Sequence, residues 1–134
     1  MPGLTLAEAR AVLDAGLAEA DAIGQPMNVA VVDAGGHLLA FARQDGAIRA
    51  SIDIAQRKAV TSILMEASTA DLMPLVQPGA ELYGLEQTAG GMVVFGGGVP
   101  VRRDGELLGA VGVSAGSVEQ DVRVAEAAAA AIKS

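Results

Sequence analysis

"FGGGVPVRRDGELLGAVGVSAGSVEQD" (residues 95–121) carries three structural signals in a row. Asp104-Gly105 sits between two β-rich runs, Val99 to Arg103 and Glu106 to Ser114. An Asp-Gly pair tolerates the positive φ angles of a two-residue turn, so the two runs read as antiparallel partners in a hairpin. Pro100 has no N–H for a ladder and belongs at a strand start or an edge. Ser117, with Gln120 three residues on, has capping-box spacing, which predicts a helix over 118–132. Glu119 and Asp121 fall in its first turn, where carboxylates suit the positive end of the helix dipole. Val118, Val122, Ala125, Ala129 and Ile132 mark its expected buried stripe.

The rest of the chain extends this pattern. Met92 to Phe95 predict a further short strand, leading into three glycines. Residues 49–68 read as a helix with Ile48, Ile52, Ala59, Ile63 and Ala67 on one stripe and Gln56, Arg57 and Lys58 away from its middle. Residues 27–43 contain two β-rich runs around Asp33-Ala34-Gly35-Gly36, a second hairpin. Val29 to Val32 are apolar on both faces, as in a covered central strand. Thr5 and Glu8 form a capping box, Leu4 sits at a staple position, and Leu6, Leu13, Leu17 and Ala20 continue at helical spacing. With Gly24 as a C′ residue and Pro26 barring continuation, the first helix spans 6–23. Pro74, Pro78, Gly79 and Gly84 leave room for one or two helical turns between the second helix and the later strands. The expectation is one α+β domain over residues 1–134, with an antiparallel sheet of about five strands flanked by helices.

Composition narrows the function. A net charge of −7 argues against nucleic acid or an anionic membrane as a partner, because both require clustered cations. The chain has no cysteine, which excludes disulfides, thiolate metal sites and cysteine nucleophiles. Although 51% of residues are hydrophobic, no stretch has the length of a membrane span, and the N-terminus lacks a basic-then-apolar leader pattern. A cytoplasmic location is expected. Three aromatic residues cannot build a stacking platform for bases, and a core of Val, Leu, Ile and Ala leaves small apolar surface that a partner subunit could cover.

Four places could carry chemistry. Gly96 to Gly98 lack the lysine and the following helix of a phosphate loop, so they serve as a strand connection or clear room for a ligand. The bend from Gly112 into the last helix could offer free amides to a carboxylate, with Gly97, Gly98, Ser114, Gly116, Ser117, Glu119 and Asp121 as candidate ligand-binding residues; ordinary helix capping explains the same pattern. Arg43, Asp45 and Lys58 could orient an anionic small molecule, Arg43 holding the acid and Lys58 or Asp45 moving a proton; surface ion pairing is the alternative. His37 follows a turn and reads either as a solvated residue or as one axial ligand to a haem, while a lone histidine excludes a His-rich metal centre. A serine triad would have to recruit His37 from the other hairpin.

"MNVAVVDAGGHLLAFARQDGA", "SIDIAQRKA" and "FGGGVPVRRDGELLGAVGVSAGSVEQDVRVAEAA", in that order, resemble the GlcG/HbpS family, the haem-degrading or DUF336 domain. The resemblance covers nearly the whole chain. It implies a profilin-like fold and homo-oligomers, from dimers to octamers. It also implies a stand-alone small-ligand-binding protein, with haem or a related tetrapyrrole as the ligand. The resemblance maps no ligating residue onto this chain, and His37 is a candidate cofactor-binding residue only as its one histidine. Two alternatives stay open: an enzyme acting on a small carboxylate or an oxidised aromatic ring product, and a structural or partner-binding homo-oligomer.

Overall fold

The computed structural model describes residues 3–133. Helix α1 (Leu6–Ile23) leads to strands β1 (Asn28–Asp33) and β2 (Leu38–Arg43), then to helix α2 (Ala50–Met65). Two short 3-10 segments, Thr69–Leu75 and Leu85–Gln87, precede β3 (Gly98–Arg103), β4 (Glu106–Ser114) and helix α3 (Val118–Ala129). The four strands form one antiparallel sheet in the order β2-β1-β4-β3. Among the described residues, no helix is long and apolar enough to cross a membrane.

Local signals set the helix ends. Thr5 accepts the Glu8 amide while the Glu8 side chain accepts the Thr5 amide, and Gly24 closes α1 at φ +70°. Ser117 and Gln120 repeat the reciprocal cap on α3. Both hairpins form as their turns predict, and β1 lies inside the sheet between β2 and β4.

The sheet has two unlike faces. Val29, Val31, Val101, Val111 and Val113 point to one side, where α1 and α3 supply Val12, Val124 and Ala128 to the main core. The other side carries Ala30, Val32, Ala110, Gly112 and Gly98, alternating with those valines, and is covered by α2. A Cβ on Gly112 would collide with the Ala55 carbonyl and lie 2.7 Å from the Ala59 amide. Helix α2 therefore rests backbone to backbone on β4, and only glycine permits that approach.

Four expectations need correction. Met92 to Phe95 do not form a strand, so the sheet has four strands rather than about five. Their amides find partners elsewhere: Met92 donates to the Glu86 carbonyl and Val93 to the Thr61 hydroxyl. The buried stripe of α2 is Ser51, Ala55, Lys58, Ala59, Thr61 and Ser62, while Ile48 stands 59% exposed and Ile52, Ile63 and Ala67 are only half-buried. A helix lying this close to a sheet must present small side chains, which displaces the isoleucines outward. On α1, Leu6 is exposed and Ala9, Val12 and Gly16 are buried; on α3, Val118 is exposed while Val124, Ala128 and Asp121 turn inward.

Candidate functional site

The residues singled out by sequence fall into three separate places. The first is a sealed polar centre under α2. Lys58 is fully buried, and its Nζ donates to the Val113 carbonyl at 2.8 Å and to Asp121 Oδ2 at 2.9 Å. The other Asp121 oxygen accepts the Gly116 amide at 3.0 Å. The ammonium also lies 4.8 Å from the centroid of the Phe95 ring, within cation–π range. One lysine thus joins α2, the end of β4, the first turn of α3 and the segment leading into β3.

Two of the three glycines, Gly97 and Gly98, are shaped to this lysine, whereas Gly96 makes room for Val118 and Val122 of α3. A Cβ on Gly97, whose φ is +130°, would lie 2.6 Å from Lys58 Nζ and 2.5 Å from the Val113 carbonyl oxygen. On Gly98 it would strike the Lys58 carbonyl and come within 2.8 Å of Thr69. Gly98 also donates its amide to the Thr69 hydroxyl at 2.8 Å. The space the glycines leave is filled by protein. Burial pushes the Lys58 ammonium below its usual range and the Asp121 carboxyl above its own, and the attraction between them opposes both shifts.

This geometry corrects two expected groupings. Lys58 does not face Arg43 and Asp45: they are exposed at the end of β2, whereas Lys58 has no exposed surface. The bend at 112–117 does not present free amides either. Gly116 N–H is held by Asp121, Ser117 N–H by the Gln120 side chain, and Gln120 N–H by the Ser117 hydroxyl. Ser114 is buried and donates to the Ser51 hydroxyl at 2.9 Å. Glu119 faces outward, in a surface cleft beside Gln120 and Arg123.

Ser114 stands in Gly112-Val113-Ser114-Ala115-Gly116, which fits the G-x-S-x-G pattern of serine hydrolases. The fold supplies no triad around it. Ser114 pairs with Asn28 at one end of β1, and His37 follows the turn after Asp33 at the other, about 17 Å along the strand.

The second place is an open cleft of about 560 Å³ where β2 ends against the C-terminal end of α1, lined by Asp21, Gln25, Arg43, Gln44 and Asp45. Gln44 braces its floor: its side-chain oxygen accepts the Met27 amide at 2.9 Å and its side-chain nitrogen donates to Asp21 at 3.1 Å. Arg43 has no carboxylate partner among the described residues.

The third place is the β1–β2 turn. The His37 side chain is 83% exposed, with Nδ1 3.3 Å from Asp33 Oδ1. That same oxygen accepts the amides of Gly35 and His37, both at 2.9 Å. The backbone bonds hold the Asp33 carboxyl below its usual range, so it stays an anion beside the imidazole. Leu4, Thr5, Ala34 and Gly35 complete a cleft of about 460 Å³.

Phe95, Ser51 and Thr69 carry no sequence signal that ties them to Lys58. One signal was available for Lys58 itself. Ala55, Ala59 and Ser62 lie at helical spacing around it, and a small-residue stripe marks the face that packs closest.

The model of the haem-degrading HbpS-like family matches residues 4–130. A 15.0 kDa protein of the dhaT–dhaS intergenic region in Citrobacter freundii is 45% identical over 126 residues, covering 93% of this chain and 89% of its own. The corrinoid adenosyltransferase PduO of Citrobacter freundii is 42% identical over 96% of this chain, which spans only 39% of PduO. The crystal structure of a PduOC–haem complex superimposes with a TM-score of 0.93 at 40% identity, covering 98% of this chain and 96% of that one. With the family model matched over residues 4–130 and the fold shared with the PduOC–haem complex, the chain belongs to the HbpS-like family of haem-degrading proteins.

Proposed function

We propose that this protein binds haem or a related tetrapyrrole, with His37 supplying an axial bond. The likeness to the PduOC–haem complex, which extends over 98% of the chain, carries the reading. The donor set at the turn fits the group. An imidazole that ligates iron commonly directs its other ring nitrogen at a carboxylate, and His37 Nδ1 faces Asp33 in this way. Asp33 then fixes the tautomer whose Nε2 lone pair is free for a metal, and the exposed ring leaves that nitrogen accessible. A bound haem supplies an iron centre with an open axial position for such a nitrogen. We further propose that the protein self-associates, a reading supported by large apolar side chains left exposed at Leu6, Leu38, Ile48 and Leu64.

Titration with hemin tests the ligand. Binding is expected to shift and sharpen the Soret band, and His37→Ala is expected to weaken binding and alter that band. A wild-type spectrum identical to free hemin overturns the haem reading. A normal spectrum from His37→Ala moves the axial bond to another residue. The second reading, a small-carboxylate site, rests on the unpaired Arg43 over its cleft. Its expected signature is carboxylate binding lost in Arg43→Ala, with no part played by the buried Lys58.

A further inference from the structure

The sheet has two edges, and they are built differently. β3 ends the sheet on one side with Pro100, Arg102 and Arg103, the residue types that blunt an edge against further pairing. β2 ends it on the other with Leu38-Leu39-Ala40-Phe41-Ala42-Arg43, which has no proline and no acid and carries one charge, Arg43, at its far end. Leu38 is 50% exposed, and Phe41 is only half-buried.

The hydrogen bonding shows which groups of β2 are free. Gln44 donates its amide to the Met27 carbonyl at 3.0 Å, so Met27 and Gln44 form a bonded pair. Antiparallel alternation then turns Ala42 and Ala40 toward β1 and points the amides and carbonyls of Phe41 and Arg43 outward. Such an edge is complementary to itself about a two-fold axis.

We propose that β2 of one copy pairs antiparallel with β2 of a second copy, with Phe41 near the two-fold axis, joining two four-stranded sheets into one. This rests on the self-association proposed above and names its surface. Charge supports the choice of occupant. Each copy carries a net charge of −7, and β2 is a stretch from which acids are absent, so like-charge repulsion at the contact is low.

Sedimentation of the full chain at micromolar concentration provides the test. The wild type is expected to be a dimer or a multiple of one. Phe41→Lys is expected to fall to the mass of one chain with its circular dichroism unchanged, while Pro100→Lys on the opposite edge keeps the wild-type mass. Amide exchange gives a readout that needs no variant: Phe41 and Arg43 are expected to exchange about tenfold faster once dilution separates the copies. A wild type that sediments as one chain, a Phe41→Lys variant that keeps the assembled mass, or fast exchange at Phe41 and Arg43 in the assembled protein overturns the proposal. Hemin titration is read separately: a wild type that assembles through β2 but leaves the hemin spectrum unchanged overturns the ligand reading alone, and one that binds hemin but sediments as one chain overturns the edge pairing alone.

Discussion

The valine face of the sheet and the α2 face bury comparable elements by opposite means. Under α1 and α3, branched side chains interdigitate, with Val29, Val31, Val111 and Val113 meeting Val12, Val124 and Ala128. Under α2 the elements meet through backbone, at Gly112 against Ala55 and Gly98 against Lys58. The first face is apolar and holds the helices at ordinary distance. The second brings the helix so close that small residues and one ion pair fill what space remains. A valine face loses stability when atoms are removed; a glycine face loses it when atoms are added.

That contrast predicts the largest effect at adjacent residues of β4. Gly112→Ala places a methyl group into the Ala55 carbonyl, where neither backbone can yield. The expected loss is about 3 kcal/mol or more, the upper range for overpacking, read as a fall in the urea midpoint. Val111→Ala, one residue earlier and on the other face, removes two methyl groups from a packed core and is expected to cost about 2 kcal/mol. If Gly112→Ala proves the milder of the two, α2 can lift off the sheet and the close contact is not a constraint.

The second effect concerns the Lys58–Asp121 pair. Removing one partner strands a buried charge, so Lys58→Met or Asp121→Leu alone is expected to cost about 3 kcal/mol, the lower end for breaking a buried pair. The double variant, apolar at both positions, is expected to recover most of that loss or to exceed the wild type. The pH dependence has a definite sign. Burial raises the Asp121 carboxyl above its ordinary 3.8, so the native state holds that proton more tightly and wild-type stability falls as pH rises through the shifted value. Burial lowers the Lys58 ammonium below its ordinary 10.5, so the native state releases that proton more readily and stability rises as pH climbs toward 10.5. The double variant lacks both slopes. Its advantage over the wild type is therefore expected to be greatest near neutral pH and to shrink toward both extremes. A constant difference across the range would show that mutual attraction fully offsets burial.

The two faces also differ in how far they can be read from sequence. The bounds of α1, both hairpins and both capping boxes rest on residues a few positions apart, and each forms as its spacing predicts. The valine face follows from alternation along β1 and β4. The α2 face defeats the same reasoning, because Ser51, Lys58, Thr61 and Ser62 are residue types that belong outside by default. Their burial depends on Gly98 and Gly112, some forty to sixty residues later, and no local pattern connects them. Met92 to Phe95 fail for a related reason. The run has strand composition, but a threonine on α2 and a loop carbonyl take the amides a neighbouring strand would need. At the candidate sites, the exposure of His37 was legible from its turn, whereas the union of Lys58, Asp121 and Phe95 required the fold.

The smallest predicted effect separates two serines on the buried stripe of α2. Ser51 accepts the Ser114 hydroxyl at 2.9 Å, and both side chains are buried. Ser51→Ala leaves Ser114 without that partner and is expected to cost about 1 to 2 kcal/mol. Ser62 lies three turns further along, fully buried, and its hydroxyl has no hydrogen-bond partner among the described residues. Burying an unpaired hydroxyl is unfavourable, so Ser62→Ala is expected to leave stability unchanged or raise it by about 1 kcal/mol, with alanine also the better helix former. The methyl group of alanine is smaller than the hydroxymethyl group it replaces, so overpacking cannot mask the gain. Opposite signs at two serines on one helix would locate the stability of this face in satisfied hydrogen bonds as well as in close approach. A loss at Ser62 equal to that at Ser51 would mean that its hydroxyl does make a bond, and that the polar layer under α2 extends beyond the lysine.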